Sequence, residues 1–87
     1  MNAKENLESF REKAVNAPMF ECACCGMAKE RKNLGAIRNY EPDSPRLRAR
    51  MVGPCAYAIC EDCKRIPSKE QRVKITQFVA RQGLFKA

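Results

Sequence analysis

The sequence predicts a small α+β domain whose core needs a chemical staple, on three observations. The chain has 87 residues, and a chain of this length buries only about 60 to 65% of the surface that its unfolded form exposes. A core that small is marginal by itself. Two Cys-x-x-Cys pairs, Cys22/Cys25 and Cys60/Cys63, stand far apart in the chain. Helical periodicity marks both ends, while short apolar runs bounded by Gly, Pro and Asn fill the middle.

The cysteines identify the staple. There are six of them, Cys22, Cys24, Cys25, Cys55, Cys60 and Cys63, and no histidine. The opening MNAKENLESFREK is polar and has no apolar stretch of the signal-peptide kind, and no run is long enough to span a membrane. A reducing cytoplasm is therefore the expected compartment, where clustered cysteines bind metal more often than they pair with each other. Each Cys-x-x-Cys pair offers two thiolates to one tetrahedral ion, and two pairs make a closed structural site for one Zn2+. The pairs are separated by 34 residues, more than a zinc ribbon usually has, so a sizeable segment is looped out between them.

Two thiols are left over. Cys24 lies between two ligands, where its side chain is expected to point away from the metal, and Cys55 precedes Cys60 by five residues after a Gly-Pro turn. Both read first as small buried hydrophobes. A redox role as resolving thiol stays open for either, and ligand exchange for Cys24.

Taken in order, residues 1–17 form an amphipathic helix packed on the rest. Within it Leu7, Phe10 and Ala14 recur at helical spacing, and Ala17-Pro18 ends it. Residues 18–87 form the metal-binding domain. Met19-Phe20-Glu21 is a short strand leading into a knuckle, where Gly26 lets the backbone turn sharply and aim N–H groups at the sulfurs. A hairpin is expected at about 34–52: LGAIRNY as one strand, EPDSP as the loop, and RLRARMV as the other strand. On that strand Arg46, Arg48 and Arg50 line one face. Gly53-Pro54 turns the chain, and Ala56 to Ile59 delivers Cys60. In the last segment Ser68-x-x-Gln71 has the capping-box pattern, Ile75, Phe78 and Val79 form an apolar face, and Gly83 is placed to stop the helix.

The net charge of +7 is uneven. Residues 29–50 carry seven basic and three acidic groups, and residues 64–87 carry seven and one. Four thiolates and a dication subtract about two charges, which leaves a chain basic enough to favour polyanions or acidic protein surfaces. Arginines at alternate strand positions project about 6.6 to 6.8 Å apart, near the phosphate spacing of an extended nucleic-acid strand. A solvated sheet edge is the competing explanation of that row. Only Tyr40 and Tyr57 could stack on bases, and Tyr57 is expected to pack in the core instead.

Without histidine the chain has no ordinary general base near neutrality, which argues against hydrolases. Zinc deaminases need an H-x-E motif and a Pro-Cys-x-x-Cys, and Pro54-Cys55 is followed by Ala58 where the second cysteine would stand. A four-thiolate zinc has no open position for water. The expectation is a non-catalytic protein.

CxxCG at 22–26, the basic stretch with Leu34, and GPCAYAICEDCK at 53–64 together resemble the N-terminal zinc-binding domain of the ClpX unfoldase. The resemblance covers about half the chain. It implies a treble-clef fold, with Cys22, Cys25, Cys60 and Cys63 as the zinc ligands, and a module that dimerises and recruits adaptors and substrates. The longer gap between the pairs departs from that family, and no P-loop follows, so a free-standing treble clef is expected. Such a module would suit a phage or mobile-element protein acting on host machinery. Three functions follow as expectations. The first is an adaptor or regulator binding a protein partner, with a homodimer as one such partner. The second is a DNA- or RNA-binding protein using Arg46, Arg48, Arg50, Lys69, Lys74 and Arg81, and the third is a zinc redox switch using Cys24 or Cys55.

Overall fold

The computed structural model describes residues 2–86, so positions 1 and 87 of the two expected segments lie outside it. Helix α1 covers Ala3–Asn16, as its periodicity predicts. Asn2 caps it by accepting from the Glu5 N–H at 2.8 Å, and the chain turns extended at Ala17, ahead of Pro18. Its apolar stripe is only half-buried. The helix docks on the sheet partly through Asn39, whose Nδ2 donates to the Ala3 carbonyl at 3.1 Å.

Strand β1 (Met19–Glu21) pairs antiparallel with β2 (Ala28–Glu30), Phe20 opposite Lys29. The six residues between them form the knuckle. It is closed by Cys22 N–H to Met27 O at 3.0 Å and by Gly26 N–H to Cys22 O at 2.8 Å, with Gly26 at φ +75°. After one 3₁₀ turn (Arg31–Asn33) comes β3 (Leu34–Asn39), antiparallel to β4 (Ala56–Cys60). The register slips between Leu34 and Ala36, leaving Gly35 bulged against the end of β4. A Cβ on Gly35 would lie 2.8 Å from the Cys60 carbonyl oxygen, so only a residue without one fits. Every residue of β4 is buried. Ile59 and Val79 stand at the centre of the core, with Cys22 and Ile75 beside them.

The segment between β3 and β4 corrects the expected hairpin. Residues 46–50 are not a strand but the body of helix α2 (Pro45–Arg50). Ser44 is its N-cap, accepting from the Leu47 N–H at 3.2 Å, and Pro45 occupies the first helical position, where its missing N–H costs nothing. Arg, Leu and Ala are strong helix formers, so the apolar/basic alternation over five residues is overridden by local propensity and a good start signal. The partner of β3 is β4 instead. The C-terminal residues close over the insertion: Val52 N–H donates to Leu84 O at 2.9 Å, Met51 bridges Phe85, and the Phe85 ring meets Tyr40 edge-on at 6.2 Å.

Helix α3 (Glu61–Lys64) and helix α4 (Ser68–Arg81) complete the chain. Gly83, at φ +73°, follows the end of α4 as expected. The capping box does not form. Ser68 is already helical, Pro67 is the N-cap, and Gln71 turns its amide the other way. Among the described residues no helix is long and apolar enough to cross a membrane.

Candidate metal centre

Two structural units converge on one point. The knuckle after β1 carries Cys22 and Cys25. The passage from β4 into α3 carries Cys60 and Cys63, with Cys60 as the residue that caps α3. The four sulfur atoms all lie within 4.8 Å of one another. Tetrahedral zinc with Zn–S bonds of about 2.3 Å requires sulfurs about 3.8 Å apart, so a small contraction around an ion brings the set to that geometry. The donor set fits a soft or borderline ion, since all four groups are thiols.

Backbone groups hold the sulfurs. Cys22 Sγ accepts from the N–H of Cys25 and from the N–H of Cys60, each at 3.4 Å, so one sulfur joins both halves of the site. The knuckle is also fastened to β4 by Ala23 N–H to Ala58 O at 2.8 Å. Burial would push the Cys22 thiol up, but the backbone N–H groups of Cys25, Cys60 and Cys24 outweigh it and lower its pKa to about 7. Burial raises Cys25 and Cys63, and for Cys63 the neighbouring thiols of Cys60, Cys22 and Cys24 raise it further. Four thiols this close cannot all ionise without a cation between them. Cys22, Cys60 and Cys63 are at most 4% exposed, whereas Cys25 faces solvent.

The remaining sequence-predicted residues sit elsewhere. Cys24 is buried and outside the group of four, as expected for a residue between two members of the cluster. Cys55 is buried away from the cluster, its Sγ near the Ala56 carbonyl at 3.6 Å and its thiol pushed up by burial. Arg46, Arg48 and Arg50 do not make a row, because each step along α2 rotates by about 100°. Arg48 pairs with Glu41 at 3.6 Å, and Arg50 donates to the Lys86 carbonyl at 3.2 Å. On α4, Lys74 and Arg81 share a face two turns apart, while Lys69 stands about 140° round from Lys74 and borders the groove toward α2. Tyr40 and Tyr57 are 8% and 7% exposed and offer no stacking face.

Two supporting residues escape a reading by motif. Gln71, buried, donates through Nε2 to the carbonyls of Cys63 at 3.0 Å, Lys64 at 3.1 Å and Ile66 at 2.7 Å, tying α4 to the turn that holds the last ligand. Gly35 admits the Cys60 backbone, and a lone glycine inside a strand pattern is the signal that marks it. No known protein family, curated protein or solved structure matches the chain.

Proposed function

We propose that this chain is a zinc-stabilised interaction module of treble-clef type, without catalytic activity, which works by binding a protein partner in a reducing compartment. The observation that carries this reading is the convergence of Cys22, Cys25, Cys60 and Cys63 from two distant segments. An ion held by four thiolates is coordinatively closed, so its work is to fix the fold. The knuckle on the β1–β2 hairpin and the second pair at the start of a helix support that reading.

A partner surface is available beside α1. There an apolar cleft of about 300 Å³ is lined by Phe10, Ala14, Met19, Phe20 and Phe78. Val15 and Met19 stand exposed. The nucleic-acid reading loses its strand of arginines to α2 and its aromatic groups to the core, so the protein-binding reading is preferred. A titration of the zinc-loaded protein with duplex DNA, single-stranded DNA and RNA at two salt concentrations separates them. The expected result is no tight, steeply salt-dependent binding. Micromolar binding that falls steeply with salt would reverse the preference. The metal is tested first by measuring zinc per purified chain, expected to be one.

A further inference from the structure

A second cleft, of about 260 Å³, opens between the end of β3, the start of the insertion and the first turns of α4. Its floor is Tyr40, Tyr57 and Ile75, and the Tyr40 hydroxyl is already engaged with Thr76 Oγ1 at 2.9 Å. Its rim carries two guanidinium groups from different elements, Arg38 from β3 and Arg72 from α4, and two carboxylates, Glu41, which is paired with Arg48, and Asp43. Arg38 makes no ion pair among the described residues. Arg72 is held by Asp43 at 2.7 Å, with side chains 68% and 56% exposed, and such a pair contributes little and exchanges readily.

The beginning of α4 lies at the same cleft through Ser68. Pro67 gives this 14-residue helix no side-chain cap, and the first N–H with an intrahelical partner is that of Gln71, to Pro67 O at 3.0 Å. The preceding N–H groups therefore need an acceptor from outside the helix. Burial raises the Tyr57 hydroxyl, and Arg38 and Arg72, which line the same cleft, act against that.

We propose that this cleft binds a phosphate group, either inorganic phosphate or a small phosphomonoester, clamped by Arg38 and Arg72. The Tyr57 and Ser68 hydroxyls and the first-turn N–H groups of α4 are the further donors. Asp43 is the internal stand-in that releases Arg72 to the ligand. Donors reach the cleft from β3, β4 and α4, which suits a tetrahedral anion with acceptors on every side. A carboxylate can fill one arginine fork at most, and Asp43 meets Arg72 through a single N–H. A volume of about 260 Å³ matches a small ester. This site is independent of the metal reading, except that Gln71 both lines the cleft and anchors the α3–α4 turn.

The test is a titration of the full, metal-loaded chain with inorganic phosphate, O-phosphoserine and AMP at fixed ionic strength, followed by calorimetry and by backbone amide NMR. Saturable binding near about 1 mM is expected. The amides of Ser68, Lys69 and Glu70 should shift. Replacing both arginines (Arg38→Gln with Arg72→Gln) should weaken binding more than about tenfold, and Asp43→Asn should tighten it severalfold. Arg38→Lys, which keeps the charge and loses the fork, should fall between. Equal affinity for the three probes assigns the ion itself, and a tenfold preference for one ester assigns that ester. Absence of saturation, shifts confined to Lys74 and Arg81, or affinity indifferent to the arginine and Asp43 changes would each overturn the assignment.

Discussion

At the scale of single residues, the six cysteines divide into four that meet and two that do not, and substitution separates them. Serine at Cys22, Cys25, Cys60 or Cys63 is expected to reduce bound zinc from one per chain to near zero, read by metal analysis. Cys24→Ser is expected to retain it, because Cys24 stands outside the group. Gly35→Ala drives a methyl group to 2.8 Å from the Cys60 carbonyl, where the obstacle is backbone and cannot rotate away. The expected cost is roughly 2 kcal/mol by denaturant unfolding, together with weaker metal retention, because the strain falls on a ligand residue. The two cysteine pairs that cluster are legible in the sequence because Cys-x-x-Cys spacing along a knuckle is a local property. The bond from the Cys60 N–H to the Cys22 sulfur is not, since it arises only when the knuckle folds against β4.

At the scale of elements, α1, β1, β3, β4 and α4 lie where periodicity and punctuation place them, and α2 does not. Its RLRAR stretch fits a period of two as a pattern, but it contains no β-branched residue, and Ser44-Pro45 is a helix start. Ser44→Ala is expected to destabilise the protein by about 1 kcal/mol in thermal unfolding, the usual cost of a lost N-cap. The same Ser-x-x-Gln reasoning misplaces Gln71. Proline at 67 begins α4 without help, and the free amide is drawn to the carbonyls left open at the end of α3. Gln71→Ala abandons those carbonyls in a buried place, with an expected loss of about 2 to 3 kcal/mol. Gln71→Glu should be worse, because it sets a carboxylate against three carbonyl oxygens.

At the scale of the whole molecule, β3 and β4 pair across a 16-residue insertion, a long-range choice that no local pattern reveals. The core is narrow, centred on Ile59, Val79 and the thiols, so metal and fold should be one equilibrium. Chelation is expected to abolish the cooperative unfolding transition, seen by circular dichroism, and acidification to do the same as protons displace the ion from its thiolates. On the alkaline side, burial raises Cys55 and Tyr57 above their ordinary values. Their stabilising effect is complete below the unfolded pKa values, about 8.5 and 10, and is lost as pH rises through the folded ones. Melting temperature should therefore decline above about pH 8.5, and Cys55→Ala should remove the first part of that decline.

The exposure of Cys25 gives the centre a door. Three of its sulfurs are walled in by β4, α3 and the knuckle, so an incoming or departing ion, a competing chelator or an oxidant meets Cys25 first. For an ion held there, exchange would begin at the one bond at the surface, with the three sulfurs beneath retaining it meanwhile. Lability and affinity can then be tuned apart in this protein, through different residues of the same centre.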